Sequence, residues 1–295
     1  MVGEHDVRMF VTSVVVQFFA VEHVADDVVI DELVVPVDGT EQSERALPVA
    51  ASLAAAMGAD VRLLTTELDI GDESPGAYLG RLGSTITGRV GVHTDVVGGE
   101  TTARAISDAL SSPSSSSAIC MATHAHGRVL TTLHRSVAEA VVGGVAAPVF
   151  LVGPHCVTQT FEPGRVLLAH DGSPAASETA ISLLGLILPL ATRLDVVTVV
   201  LAPMGRSADD PYRAIRESVA SVVDAAHAHG LEAAHQIVFA KDVRAGLLDE
   251  VSTTSTALVV MATHHRSAFD RLRDGSITMS VVHDATVPVL VTSRR

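Results

Sequence analysis

From Asp31 onward, short apolar runs alternate with stretches whose apolar residues recur at helical spacing. Leu33 to Val37 reads as a strand that ends at Asp38-Gly39-Thr40. Thr40 can cap the helix that follows, and Glu41 and Glu44 fall in its first turn, where the helix dipole favours acids. Ala46, Leu47, Ala50, Leu53, Ala54 and Met57 then share one helix face, and Gly58 closes it. Further strands are expected over 61–66, 90–97, 118–123 and 149–152, with helices over 101–110 and 136–145. The segment 69–88 is Gly-rich and without period, so it is expected to be loop with at most a weak helix.

The same series then starts again. A strand over 166–170 runs into Asp171-Gly172-Ser173, which matches Asp38-Gly39-Thr40 at an offset of 133 residues. Strands are expected over 196–200, 233–239, 258–262 and 289–291. Helices are expected over 181–190, which Pro189 must kink or end, over 209–229, stopped by Gly230, and over 243–251 and 276–283. Met-Ala-Thr-His occurs at 121–124 and again at 261–264, an offset of 140 that Pro148 and Pro288 share. The change of offset falls in the middle of each series, where loop insertions cost little. The chain therefore divides into an extension of uncertain order over 1–30, a unit over 31–153, a linker over 154–163 and a second unit over 164–295. Alternating strands and helices call for an α/β fold of two tandem doubly wound units, each a parallel sheet with helices on both faces.

Composition supports this class. Hydrophobic residues make up 47% of the 295, yet aromatics are 3% and tryptophan is absent, so the core must be Val, Leu, Ile and Ala, as in parallel strands covered on both faces. The net charge of −14 argues against nucleic acid and anionic membrane as partners, since both are held by cationic patches. The apolar run from Phe10 to Val21 is too short to span a bilayer and lacks the flanks of a signal peptide. Two cysteines, Cys120 in an apolar strand and Cys156 in the linker, form no disulfide framework, which fits a reducing cytoplasm.

The candidate chemistry lies where strands give way to helices. Met261 to Ser276, MATHHRSAFDRLRDGS, and Met121 to Ser136, MATHAHGRVLTTLHRS, each follow an apolar strand and precede a helix, the layout of a phosphate cradle with its unpaired N–H groups at the helix start. Arg266, Arg271 and Arg273 in the second loop are either phosphate partners or solvated surface arginines. His124, His126 and His134 are read as sharing the first loop, and His264, His265 and His283 as sharing the second. No ligand spacing recurs in both units, so no metal site is expected. Ser136 and Ser276 lie outside any GxSxG elbow and read as helix caps with phosphate contact. No nucleophile is paired with a base and an orienting group, so no catalytic residue is assigned.

Two αβ units that begin with Val-Asp-Gly-Thr and His-Asp-Gly-Ser and end in a loop, a helix and Ala-Pro-Val or Val-Pro-Val resemble a tandem universal stress protein, over almost the whole chain after residue 31. The resemblance implies a five-stranded parallel sheet of order 3-2-1-4-5 in each unit. It also implies, in many members, ATP bound through Gly-x-x-Gly, nine residues and Gly-Ser/Thr. In the second unit the two leading glycines fall on Ala262 and His265, and Gly275-Ser276 matches after nine residues. In the first unit they fall on Ala122 and Ala125, Arg135 replaces the third, and only Ser136 matches. The nucleotide site implied for the second unit comprises Ala169, His170, Asp171, Val199, Met261, Ala262, His264, His265, Gly275, Ser276 and Ile277. The corresponding set in the degenerate first unit is Pro36, Val37, Asp38, Thr66, Met121, Ala122, His124, Ala125, Ser136 and Val137. Read without the resemblance, Asp38 and Asp171 shape and cap the strand-to-helix turn.

The function that follows is a cytoplasmic, Rossmann-like stress-response protein that binds ATP, with Mg accompanying the nucleotide, mainly in the second unit, as a sensor or regulator with at most slow hydrolysis. The alternatives are a nucleotide-free interaction or dimerisation module of the same fold, and a nucleotide hydrolase or transferase. The short apolar last strands, 149–152 and 289–291, would lie at sheet edges. Pairing between them would make an intramolecular pseudo-dimer, and a homodimer is the other use of such edges.

Overall fold

Leu33, Val34 and Val35 have no solvent exposure, and consecutive residues of a strand point to opposite faces, so the first strand is covered on both sides. The computed structural model describes residues 29–66, 73–98, 116–123, 137–145, 147–201, 212–264 and 277–294, together with 104, 106, 108 and 110. Residues 1–28 of the expected extension and most of the expected helix over 101–110 lie outside them, although Arg104, Ile106 and Asp108 are helical.

In the first unit the elements are β1 (Glu32–Pro36), α1 (Glu41–Glu44), α2 (Ala46–Met57), β2 (Asp60–Thr66), α3 (Pro75–Gly83), β3 (Val92–Val97), β4 (Ser117–Ala122), α4 (Val137–Gly144) and β5 (Val149–Val152). In the second they are β6 (Gly164–Ala169), α5 (Pro174–Ser182), α6 (Leu184–Ile187), a 3-10 turn over Leu188–Leu190, β7 (Ala191–Leu201), α7 (Arg213–Ala228), β8 (Glu232–Ala240), α8 (Val243–Thr253), β9 (Thr256–His264), α9 (Ile277–Asp284) and β10 (Val289–Arg294).

All ten strands form one sheet, in the order β3-β2-β1-β4-β5-β10-β9-β6-β7-β8. Each half has the order 3-2-1-4-5 with parallel pairing, as the resemblance implies. The halves meet where β5 and β10 pair antiparallel, Val149 opposite Val291, Phe150 opposite Leu290 and Leu151 opposite Val289. Two hydrophobic layers cover the sheet, one on each face, and each takes residues from both units.

Two expectations are corrected. The segment taken as loop contains the nine-residue helix α3. Ser74 caps it by accepting from the Ala77 N–H, Pro75 occupies its first turn, and Tyr78, Leu79 and Leu82 bury one face. Its three glycines hide that face from a reading by composition. The helix expected over 181–190 starts instead at Pro174, behind the Ser173 cap, and ends at Ser182. The stretch up to Leu190 is a single α-turn followed by the 3-10 turn that carries Pro189.

The linker is packed between the units. Cys156 and Phe161 are buried in it, the Phe161 N–H donates to Ser52 Oγ at 2.7 Å, and the Arg45 guanidinium donates to the carbonyls of Pro154 and Cys156. On the other side the Val157 N–H donates to the Thr286 carbonyl at 2.9 Å. Burial pushes both thiols, Cys120 and Cys156, above their ordinary value, so neither is a reactive thiolate. Gly153 opens this segment directly against the last turn of α9, where a Cβ would sit 1.9 Å from the Val282 carbonyl oxygen. Gly153→Ala should therefore lower the unfolding free energy by at least about 1–3 kcal/mol, the range for overpacking. Denaturant unfolding of the variant measures it, and an unchanged midpoint would mean that the junction is not closely packed.

Candidate functional site

In each unit the first strand lies between its second and fourth, so the chain leaves the carboxyl end of the sheet in opposite directions on its two sides. Open parallel sheets bind ligands in the crevice at that point. The Asp-Gly turn stands there, after β1 as Asp38-Gly39 and after β6 as Asp171-Gly172. Both glycines have positive φ, 80° and 83°, which a side chain would strain.

Asp38 is half-buried and Asp171 exposed, and each bends the chain into the helix. Asp38 Oδ1 accepts from the Thr40 N–H at 3.1 Å and from the Thr40 hydroxyl at 2.6 Å. Asp171 Oδ1 accepts from the Ser173 N–H at 2.8 Å. Thr40 and Ser173 in turn cap their helices by accepting from the Ser43 and Ala176 N–H groups. The aspartates thus act in turn formation, as the reading without the resemblance has it, and they also face the solvent of the crevice.

The glycine N–H of the turn is the other donor at the mouth of the crevice, and in both units a side chain takes it. Gly39 N–H donates to the Tyr78 hydroxyl at 3.2 Å, and that hydroxyl donates to Glu44 Oε1 at 3.0 Å. Burial first, and then the Glu44 carboxylate, pushes the Tyr78 phenol above its ordinary value, so it stays a donor. Gly172 N–H donates to His170 Nδ1 at 2.9 Å, and His170 Nε2 lies 3.1 Å from Ser177 Oγ. With Nδ1 accepting, Nε2 carries the proton and donates to Ser177, whose own hydroxyl donates to the Ser218 carbonyl at 2.7 Å. Glu44 and Ser177 are equivalent at the 133-residue offset, so one helix position anchors two chemically different relays. Over the second turn lies Ile215 of α7, whose Cγ1 is 2.9 Å from where a Gly172 Cβ would be.

The expected site residues divide into three groups. Asp38, half-buried, and Asp171, exposed, stand at the crevice, and Ile277, exposed, opens α9. Pro36 and Ala169 close strands β1 and β6 as half-buried residues, Val37, Met121 and Ala122 are buried at or just past the strand ends, and Met261 is buried within β9. Ala169 is in register with Met261, so β6 ends beside an interior residue of β9, which runs three residues further. Val199 is half buried on β7 and packs toward Gly246 of α8. His170 is buried in the relay just described. Thr66 ends β2 with its hydroxyl buried and without a hydrogen-bond partner among the described residues. Ala262 and His264 lie in β9, in register with Thr292 and Arg294, and Val137 opens α4. His124, Ala125, Ser136, His265, Gly275 and Ser276 lie outside the described residues, as do Arg266, Arg271 and Arg273.

Sequence reasoning missed Tyr78, Glu44, Ser177, Ser218 and Ile215. Tyr78 was hidden in the segment taken as loop. Glu44 and Ser177 carried one signal, their shared offset, but the difference in residue type obscured it.

A model of the universal stress protein family matches residues 163–293. No curated protein matches the chain. Among solved structures, a universal stress protein from Archaeoglobus fulgidus aligns over 90% of this chain and 96% of its own, with a TM-score of 0.66 at 18% identity. A Pseudomonas aeruginosa protein assigned to the universal stress proteins aligns over 90% of this chain and 94% of its own, with a TM-score of 0.62 at 15% identity. At such identities the likeness is one of fold, and it extends through both units. The second unit therefore matches the universal stress protein family by sequence, and both units share the fold of these solved structures.

Proposed function

We propose that the chain is a tandem universal stress protein that acts as an adenine-nucleotide-binding sensor or regulator, with ATP and its Mg held mainly by the second unit. The observation that carries the reading is the exposed Asp171 carboxylate at the carboxyl end of β6, between β7 and β9, beside the strand whose following loop ends in Gly275-Ser276. A carboxylate there suits the hydroxyls of a ribose, and the Gly-Ser ahead of α9 suits phosphate at a helix start. The first unit is the weaker candidate, because its loop has Arg135 where the glycine would be. Thr66 nevertheless offers a buried hydroxyl in need of a partner near its crevice.

The second reading is a nucleotide-free interaction module. It is favoured by Ile215 lying over the Gly172 turn and by the use of both turn glycine N–H groups within the fold. The antiparallel β5–β10 pair supports an intramolecular pseudo-dimer in either reading, and it leaves β3 and β8 as the sheet edges at which a homodimer could form. Both cysteines are free, in keeping with a cytoplasmic setting, and among the described residues no helix is long and apolar enough to cross a membrane.

Calorimetric titration of nucleotide-free protein with Mg-ATP tests the proposal. Micromolar binding near one site per chain is expected, lost in Asp171→Ala and Gly275→Trp and kept in Asp38→Ala. No heat and no thermal shift at millimolar ATP would leave the interaction module as the account. The relay has its own test. His170→Ala removes the acceptor of a turn N–H and the donor to Ser177, and should lower the unfolding free energy by about 1–3 kcal/mol in denaturant titration.

A further inference from the structure

Away from both crevices, the junction of the two units gathers His155, His283 and Asp284, with one possible ligand atom of each within 4.8 Å of the others. His155 comes from the segment that leaves β5, and the other two come from the last turn of α9 and belong to the second unit. We propose that these three side chains form a binding site for a divalent transition-metal ion, Zn2+ being the ion that best suits two imidazoles and one carboxylate.

Four features support a built site. The first is the donor set: imidazole nitrogen and carboxylate oxygen are ordinary ligands of Zn2+, and three protein ligands leave a fourth position for water. The second is geometry. Zinc bonds of about 2.0 Å place tetrahedral ligand atoms roughly 3.3 Å apart. The His283 Nδ1 to Asp284 Oδ1 distance is 2.8 Å, and the three atoms lie within 4.8 Å, so small side-chain rotations complete the set. The third is preorganisation. Gly153 packs on the Val282 carbonyl, the Cys156 N–H donates to the Gly153 carbonyl, and the Val157 N–H donates to the Thr286 carbonyl. The backbone on either side of His155 is therefore tied down next to α9, and its ring meets that of His283 edge-on with centroids 5.2 Å apart. The fourth is electrostatic: the carbonyl end of a helix favours a cation, and His283 and Asp284 are at that end of α9.

One cation already competes. The Arg244 guanidinium of α8 pairs with Asp284 Oδ2, while His283 holds Oδ1. A bound ion would take the place of the hydrogen bond between His283 and Asp284, and it would compete with Arg244 for the carboxylate. Because the ligands come from the linker and from the second unit, the ion would tie the linker to α9 and stabilise the folded chain by mass action.

The test uses tag-free, metal-stripped full-length protein titrated with Co2+, which reports tetrahedral coordination by its visible absorption, followed by displacement with Zn2+ and by thermal unfolding with and without Zn2+. One ion per chain is expected, with a melting temperature several degrees higher in Zn2+. His155→Gln and His283→Gln should each weaken binding at least tenfold, whereas His229→Gln, at an exposed position remote in sequence, should not. Removing the competing guanidinium in Arg244→Ala should tighten binding or leave it unchanged. Equal binding in the wild type and both histidine variants, or no binding at a tenfold excess of Zn2+, would overturn the proposal. His155 is exposed, so His155→Gln is not expected to disturb folding, and a loss of binding there would report on the site.

Discussion

The antiparallel pairing of β5 with β10 is the constraint on which the rest of the molecule depends. β5 and the first three residues of β10 are apolar and buried, and either strand left at an edge would present a row of unpaired backbone groups together with a buried-type surface. Joining them satisfies both at once and turns two five-stranded sheets into a single ten-stranded one. The hydrophobic layers then run across the junction, so that Val149 and Leu151 share a cluster with Val289 and Val291. The linker inherits its path from this pairing. Residues that would have been a tether between independent bodies are buried, with Cys156 and Phe161 in the same layer as α2 and β6.

The relation between the two crevices is a second consequence of duplication. Both keep the aspartate, the positive-φ glycine and the capping residue, since a strand must turn sharply into a helix at this point and few residues allow it. Around that turn they diverge. One unit satisfies the glycine N–H with a tyrosine from α3 anchored on Glu44, and the other uses a histidine from the strand end anchored on Ser177. Each turn N–H finds an acceptor, yet nothing in the turn specifies which side chain supplies it. The mouths of the crevices consequently differ in shape and chemistry even where their sequences agree.

Much of this was legible in the chain. The alternation of apolar runs and helical faces, the Asp-Gly signals 133 residues apart and the repeated Met-Ala-Thr-His gave the two units and their parallel strands. Pro174 and Ser173 could have placed the start of α5, but the apolar run over 181–188 outweighed them, because periodicity does not show where a helix begins. The glycines of α3 weakened its propensity, and only burial of Tyr78, Leu79 and Leu82 against the sheet holds it as a helix. His170 and Tyr78 escaped notice as partners of the turns because each lies at a different distance along the chain from the glycine it serves, two residues in one case and 39 in the other.

What the sequence determined by itself is local: which segments are apolar on one face or two, where strands stop, which residues can turn the chain, and that all this occurs twice. The tertiary structure decided what is brought together from afar. It set the strand order across the junction, buried the linker, chose the partner of each turn N–H, and placed His155 beside His283 and Asp284. The physical reason is that local preferences act within a few residues, whereas the pairing of edges and the satisfaction of buried polar groups are settled only when the whole sheet closes.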